Sequence, residues 1–258
     1  MIKNFLDLFL WMIKFLTKFF MQSLWFDYSF WKKNGFFEHG KMDESNYAKK
    51  IFYKHYDISK QYLTSKLTAI EIGPGDDLSS ATFFNNEEFT QFFFIDKSDY
   101  ASPSGGYKKQ YLTEGVNSFN CIDDKSVSYI FANSVFQHIS PKELNKYLQE
   151  INRVLVLGGV LSLVLDFKDM IDESLFMHLV PDLVWNSRLI NNKLFYTNKL
   201  LSHEYEIFFE SFGLEIIYKS PSYFTNKSHV SFIQRFANKN ESSLLISGCH
   251  YVLKLKDL

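Results

Sequence analysis

Short apolar runs separated by helix-length stretches are the feature that most constrains the fold of this chain. Five of these runs alternate with stretches long enough for a helix and a sixth follows, at residues 67–73, 92–96, 128–133, 160–167, 214–219 and 250–256. Runs of this length are typical of buried strands, and their alternation with helices is typical of a mostly parallel sheet. The sequence therefore predicts a doubly wound α/β fold.

Charge and cysteine content exclude several classes of protein. The 28 basic and 29 acidic residues leave a net charge of −1, and only Arg153, Arg188 and Arg235 are arginines. A nucleic-acid-binding domain needs a concentrated basic surface, so no nucleic-acid partner is expected. Cys121 and Cys249 lie far apart and outside any CxxC pattern. This spacing argues against a zinc site or disulfide scaffold and indicates a reducing compartment.

The N-terminal residues 1–31 are predicted to form an aromatic, amphipathic helical extension. They hold 11 aromatic residues, and Lys3, Asp7, Lys14 and Lys18 interrupt every run long enough to cross a membrane. At about 100° per residue, the four charges fall within a sector of roughly 60°. A narrow polar stripe beside a wide apolar face suits a helix lying in a membrane interface. It also suits a helix docked on protein, and both interpretations stay open.

The remainder of the chain divides into two parts. Residues 32–66 are polar with a helical pattern and are expected to form a helical cap. Residues 67–258 carry all the apolar runs and form the main domain, with a helical insertion at about 170–205. The clearest helix begins at Pro141, and the pair Gly158-Gly159 is expected to end it.

A glycine-rich loop follows the first apolar run. Glu71, Gly73 and Gly75 stand between that run and a predicted helix. Such a turn lets the backbone approach a nucleotide at the carboxyl edge of a parallel sheet. Asp96 ends the second run, where an acid can hold ribose hydroxyls. These residues predict a nucleotide-type cofactor site at that edge.

Two neighbouring acids indicate which nucleotide the loop would hold. Asp76 and Asp77 precede Leu78, which occupies the position of the third glycine in a dinucleotide fingerprint. A pyrophosphate would be repelled by these carboxylates, which disfavours NAD and FAD. S-adenosylmethionine carries no phosphate, and its sulfonium and ammonium cations suit an acidic loop.

These motifs, taken in order, resemble the class I S-adenosylmethionine-dependent methyltransferases. The strings that carry the resemblance are EIGPGD, DDKSVSYIFANSVFQHI and EINRVLVLGGVLSLVLDF, together with Asp96. The resemblance covers about residues 45–258 and implies a Rossmann-like, doubly wound, mostly parallel seven-stranded sheet. The sequence departs from the family pattern at Ser128, where an acid is usual, and at Gln137, where a glutamate often precedes the histidine.

The resemblance also implies roles for individual residues. The cofactor-binding set is Glu71, Gly73 and Gly75 at the methionine end, Asp96 on the ribose, Glu114 or Asn117 at the adenine, and Asn133, Ser134 and Phe136 near the methyl group or the acceptor. His138, Asp166 and Asp169 are the candidate catalytic residues, because a hydroxyl acceptor must lose a proton near this edge. No metal-ligand set is assigned. The insertion rings Trp185 and Phe195-Tyr196 are expected either to stack on a sugar or to fill a core.

Three shorter strings point to an acceptor. KMDESNYAKKIF, VLDFKDM and LFYTNKL look similar to methyltransferases encoded with bacterial polysaccharide and cell-envelope genes. That similarity implies O-methylation of a glycan or glycolipid hydroxyl by a cytoplasmic enzyme at the inner face of the membrane. Two alternatives stay open. The acceptor can instead be a quinone, lipid or small metabolite, or the chain can be a non-catalytic, membrane-associated interaction protein of the same fold.

Overall fold

A seven-stranded sheet with the order β3-β2-β1-β4-β5-β7-β6 forms the centre of the computed structural model. The structure describes residues 2–23, 46–75, 77–101, 107–225, 228–237, 239 and 241–256. The strands are β1 Thr68–Ile72, β2 Gln91–Ile95, β3 Tyr111–Leu112, β4 Val127–Asn133, β5 Leu155–Asp166, β6 Leu214–Tyr223 and β7 Ile246–Leu255. The helices are α1 Ile2–Met21, α2 Tyr47–Ser59, α3 Ser80–Asn86, α4 Pro141–Val154, α5 Asp182–Trp185, α6 Ser202–Ser211, α7 Ser228–Ala237 and α8 Glu241–Leu244.

The predicted mostly parallel, doubly wound sheet is confirmed. Strands β1 to β5 pair in parallel, and β7 lies antiparallel between β5 and β6. Each of the six apolar runs contributes to a strand. The sequence pattern missed β3, because a strand of two residues is too short to show a period.

The glycine pair Gly158-Gly159 lies inside β5, which corrects the prediction that it ends the preceding helix. α4 ends at Val154, and the backbone is already extended at Leu155, where ψ is 131°. The register of β5 against β4 shifts across the glycines. Gly158 has a φ of +75° there, a left-handed conformation that glycine adopts easily within a bulge.

The two faces of the sheet carry separate hydrophobic cores. One face packs against α4 and α6 through largely aliphatic side chains. The other face packs against α2 and α3, and its core is mostly aromatic: Phe52, Tyr56, Phe84, Phe89, Phe92, Phe94, Tyr129 and Phe131. Many of the chain's phenylalanines therefore serve packing. The aromatic core also fixes α2 over the sheet face on which the candidate site lies.

A third apolar cluster joins α1 to the insertion, defined here as residues 167–201 between β5 and α6. The Trp11 side chain is 2% exposed. The Phe15 ring stacks on Trp185 at 6.0 Å, and the Phe5 ring meets Phe232 of α7 at 5.3 Å. The described part of the N-terminal extension is therefore docked on the protein. Its residues 24–31, and residues 32–45 of the predicted cap, lie outside the described residues.

The helices of the described residues differ in length, and α1 with 20 residues is the longest of them. None of them, α1 included, is both long and apolar enough to cross a bilayer.

Replacing Phe131 with alanine should lower the free energy of unfolding by about 3–5 kcal/mol, because it opens a cavity in the aromatic core. Urea denaturation followed by circular dichroism measures the change. The matched control is Phe20→Ala, since the Phe20 ring is 63% exposed and its loss should cost less than about 1 kcal/mol. Equal losses in the two variants would contradict this description of the core.

Candidate active site

The carboxyl ends of β1, β2, β4 and β5 meet at one edge of the sheet, and the candidate residues follow these strands. Glu71 pairs with Phe131 of β4, and Asn133 pairs with Val164 of β5. Because alternate side chains of a strand share a face, Glu71, Asn133 and Asp166 lie on the same face. That is the face covered by α2. The structure thus brings three predicted site residues together.

Glu71 is a buried acid at the start of the glycine loop. Its Oε2 accepts a hydrogen bond from the hydroxyl of Ser80, the first residue of α3. Burial raises the pKa of Glu71 to about 8; the Ser80 bond opposes this rise, and the negative charges of Asp77 and Asp96 add to it. A cation placed beside this carboxyl would favour its ionised form.

The glycine loop requires glycine for steric reasons. Gly73 and Gly75 both have a φ of +71°. A Cβ added to Gly73 would lie 2.3 Å from Cγ2 of Val135, so the turn after β4 closes tightly over the loop. The Asp77 carboxylate accepts a hydrogen bond from the Ser79 amide at 2.8 Å. Asp77 therefore helps to organise the turn leading into α3, whereas Asp76 lies outside the described residues.

Asp96 links the loop to the end of β2. Its Oδ1 accepts a hydrogen bond from the Lys97 amide at 2.7 Å. Burial raises the pKa of Asp96 to about 6, while bonds from the Lys97 and Gly75 amides lower it. The Asp96 carbonyl accepts a bond from the Gly115 amide at 2.8 Å. This bond brings the turn at Gly115–Cys121 to the edge of the site.

The two adenine candidates lie in or beside that turn. Glu114 immediately precedes it and Asn117 lies within it. Both residues are exposed. Their position at the rim of the site leaves both as candidates.

Asn133 lies next to a residue that the sequence analysis missed. Burial and the charge of Glu71 raise the pKa of Tyr47, and the neighbouring Asn133 side chain lowers it. Tyr47 begins α2, and its position follows from the packing of α2 on the sheet. Ser134 continues from Asn133 with a left-handed φ of +56°. Tyr47 lies within the string KMDESNYAKKIF, but the string gave it no role, because its neighbours come from distant strands.

His138 is tied to the insertion by its Nδ1 atom, which lies 2.7 Å from the carbonyl oxygen of Tyr196. A carbonyl only accepts hydrogen bonds, so Nδ1 carries the hydrogen, and the neutral ring has its basic lone pair on Nε2. The Asn198 amide donates to the carbonyls of Phe136 and Ile139 at 2.9 Å. These bonds join the turn after β4 to the end of the insertion.

The two predicted catalytic acids have different surroundings. Asp169 is 1% exposed and accepts bonds from the Trp11 indole at 3.0 Å, the Ser174 hydroxyl and two backbone amides. This arrangement organises a loop and leaves the carboxylate without access to an acceptor. Asp166 is only half-buried, and its Oδ2 lies 3.6 Å from Nζ of Lys168. Burial raises the pKa of Asp166, and Lys168 opposes the rise.

A buried polar chain lies behind the site. His55 Nδ1 is 2.8 Å from Ser162 Oγ, which is 2.9 Å from His250 Nε2. Burial lowers the pKa of His55 well below its usual range and that of His250 to about 4. Both rings are therefore neutral at physiological pH. They lie in the packed layer between α2 and the sheet, so their contacts are structural.

Comparisons with known proteins agree with this geometry. Residues 70–163 match a family model described as a methyltransferase domain. A putative sarcosine dimethylglycine methyltransferase from Galdieria sulphuraria has a similar structure, with a TM-score of 0.52 at 14% identity over 83% of this chain and 88% of that chain. No curated protein matches the chain in sequence.

Two further solved structures are similar. A SAM-dependent methyltransferase from Methanosarcina mazei has a TM-score of 0.51 at 17% identity, covering 77% of this chain and 97% of that chain. One from Archaeoglobus fulgidus has a TM-score of 0.52 at 12% identity, covering 88% and 100%. These structures share the fold. Residues 70–163 thus form a methyltransferase domain, and the methyl donor of such a domain is S-adenosyl-L-methionine.

The residues at the sheet edge fit this cofactor. Glu71 is a buried carboxyl that suits an ammonium or sulfonium cation. Asp96 stands where a carboxylate can accept bonds from ribose hydroxyls. Gly73 and Gly75 leave no side chain between the loop backbone and a ligand. The site therefore presents acids and open backbone and suits a cationic nucleoside.

Replacing Gly73 with alanine should weaken binding of S-adenosylhomocysteine or lower stability by about 1–3 kcal/mol, because the new methyl meets Val135 and the backbone φ is unfavourable. Thermal unfolding with and without S-adenosylhomocysteine measures both effects. Adding Val135→Ala should restore part of the loss, since it removes the atom in the clash. Failure of the double variant to recover would show that the contact with Val135 is not the cause.

Proposed function

We propose that this protein transfers a methyl group from S-adenosylmethionine to a hydroxyl of a glycan or glycolipid. The observation that carries the choice of oxygen is the contact between His138 and the Tyr196 carbonyl. The Nδ1 atom of His138 faces this carbonyl, so its Nε2 is the atom that can accept a proton. A sugar hydroxyl must lose a proton when it is methylated, and a neutral histidine at this edge suits that task.

For the cofactor we assign Glu71, Gly73 and Gly75 to the methionine end and Asp96 to the ribose. Glu114 or Asn117 meets the adenine amine, and Asn133 lies close to the methyl group. The buried carboxyl of Glu71, the partly buried carboxyl of Asp96 and the positive φ of both glycines support these roles. Tyr47 joins the set because its hydroxyl lies beside Asn133 and near Glu71.

The proposed mechanism depends on alignment and proton removal. Bound S-adenosylmethionine supplies a methyl group that an oxygen attacks in line with the departing sulfur. The sheet edge and the insertion hold the acceptor so that little further ordering is needed. His138 Nε2 takes the hydroxyl proton. Asp166, at the same edge, is the second candidate to receive it. Asp169 instead organises the loop that follows β5, because its carboxylate accepts four hydrogen bonds.

The acceptor class rests on the sequence similarity to cell-envelope methyltransferases. Trp185, Phe195 and Tyr196 do not add to it, because each is at most 2% exposed and fills the core under α1. A quinone, lipid or small-metabolite acceptor is the alternative, and it uses the same cofactor site. A non-catalytic role is disfavoured, since the cofactor set is present in full. We also propose a cytoplasmic location, peripheral at the inner face of the membrane.

The protein should bind S-adenosylhomocysteine, and Asp96→Ala should weaken that binding substantially because the ribose loses its acceptor. Affinity should also fall as the pH drops, first below about 8, where Glu71 becomes protonated, and again below about 6, where Asp96 does. Isothermal titration calorimetry measures both. Absence of binding by the folded protein would refute the cofactor assignment. An unchanged affinity in Asp96→Ala would remove only the ribose role.

His138→Gln should lower kcat by about 100-fold or more, because glutamine keeps a polar side chain but cannot take the proton. The affinity for S-adenosylhomocysteine should stay the same. His203→Gln is the matched control, since His203 is exposed on α6. Mass spectrometry of glycans from cell envelopes with and without the gene would identify the acceptor. Equal activities of the His138 and His203 variants would contradict the assigned base.

A further inference from the structure

The inner face of α1 holds the insertion at both of its ends. At the beginning, Trp11 donates to Asp169 at 3.0 Å and Lys18 Nζ donates to the Met170 carbonyl at 2.6 Å. Near the end, Gln22, the residue that follows α1, accepts a hydrogen bond at its Oε1 from the Leu194 amide at 2.8 Å. The helix therefore spans the insertion.

The end of the insertion leads directly to the candidate base. Leu194 is bound by Gln22, and the ring of the next residue, Phe195, lies 5.5 Å from Phe15 of α1. The residue after that is Tyr196, whose carbonyl holds Nδ1 of His138. Movement of α1 would shift this carbonyl because only one residue lies between Leu194 and Tyr196. The docked helix and the residue after it thus contact the two residues that precede this carbonyl.

The outer face of α1 is apolar and exposed. Eight large side chains on it are 46–63% exposed: Phe5, Leu6, Phe9, Leu10, Met12, Ile13, Leu16 and Phe20. At 100° per residue they cover an arc of about 160°. Thr17 lies within that arc, and its hydroxyl donates to the Ile13 carbonyl of the same helix. A continuous apolar surface of this kind marks an interaction site.

Charges border this arc. Lys3 and Lys14 are exposed along one side of it, and Lys14 Nζ lies 3.4 Å from Asp172 of the insertion. On the other side, Phe5 packs against Phe236 of α7, next to the exposed Arg235. The polar stripe predicted from the sequence therefore runs along the docked edge of the helix, and the aromatic face divides between the protein and the outside.

An anionic lipid surface fits this arrangement better than a second protein. Protein interfaces carry hydrogen bonds that fix the partner's orientation. Among the described side chains on this arc the polar one is Thr17, and its hydroxyl is bonded within its own helix. A bilayer needs no directional partner, and basic side chains beside an apolar helix face attract its anionic head groups. The apolar side chains of α1 would enter only the outer layer of the bilayer, and the helix itself would lie along its surface.

We propose that the outer face of α1 binds an anionic membrane surface while its inner face positions His138, so that lipid contact raises turnover. Gln22 is the positioning residue in this scheme. The part of this proposal that concerns turnover rests on the proposed function. Lipid burial of the outer face would favour the docked helix, and the docked helix would hold the Tyr196 carbonyl against His138. The acceptor would then be methylated next to the membrane.

The lipid arm uses vesicles of phosphatidylcholine with and without phosphatidylglycerol. The full chain should co-sediment with the anionic vesicles, and Phe9→Glu with Ile13→Glu should reduce bound protein at least tenfold. Ile207→Glu is the matched control, because Ile207 is 63% exposed on α6, and it should bind like the unmodified chain. Equal binding by all three proteins would overturn the lipid surface. A dimer that the Glu substitutions dissociate, without vesicle binding, would assign the face to a second copy.

The positioning arm uses Gln22→Leu, with Gln22→Glu as the variant that keeps an acceptor for the Leu194 amide. Nitrogen-15 NMR of histidine-labelled protein should show His138 with hydrogen on Nδ1 in the unmodified chain. Gln22→Leu should reduce that tautomer and lower kcat severalfold, and Gln22→Glu should restore both. An unchanged tautomer in Gln22→Leu would overturn the positioning role.

Activity with vesicles completes the test. Anionic vesicles should raise kcat severalfold in the unmodified chain and leave Phe9→Glu with Ile13→Glu unchanged. Calorimetry with S-adenosylhomocysteine separates this outcome from failure of the proposed function, since cofactor binding should be equal in all variants. Vesicle binding without any change in kcat would refute the coupling. Loss of cofactor binding in the unmodified chain would refute the proposed function itself.

Discussion

The contact between His138 Nδ1 and the Tyr196 carbonyl joins the sheet edge to the insertion, and the position of the proposed base depends on it. The sheet supplies the glycine loop and the acids, while the insertion and α1 form a separate packed layer. Without this contact and the adjacent bonds of Asn198, the turn after β4 would lose these side-chain hydrogen bonds to the end of the insertion. This directional bond orients the ring of His138, the residue that we propose as the base.

Desolvation gives the site its electrostatic character. Glu71 and Asp96 are held close together, and their pKa values are raised to about 8 and about 6. This desolvation has a cost that the bonds from Ser80 and two amides only partly offset. A cationic ligand with a diol would relieve it. These two acids are thus the groups that we assign to the cofactor.

The fold was largely predictable from sequence because each buried parallel strand appears in the sequence as a short run of apolar residues. β1, β2, β4 and the glycine loop follow such runs closely. The end of α4 was less predictable. The backbone becomes extended at Leu155, before Gly158-Gly159, because β5 pairs with β4 from its first residue. Tyr47 and Ser80 were missed because their roles come from contacts across the chain, which leave no local pattern.

The sequence by itself determined the alternating architecture, the glycine loop and the two acids of the cofactor edge, because each depends on local periodicity or on strand ends. The tertiary structure decided what those residues face. In the structure Asp169 organises a loop, and the rings of the insertion are buried. The aromatic face of α1 is divided into a docked side and an exposed side. The physical reason is that hydrogen-bond partners and burial are set by residues far apart in the chain, such as Trp11 and Asp169.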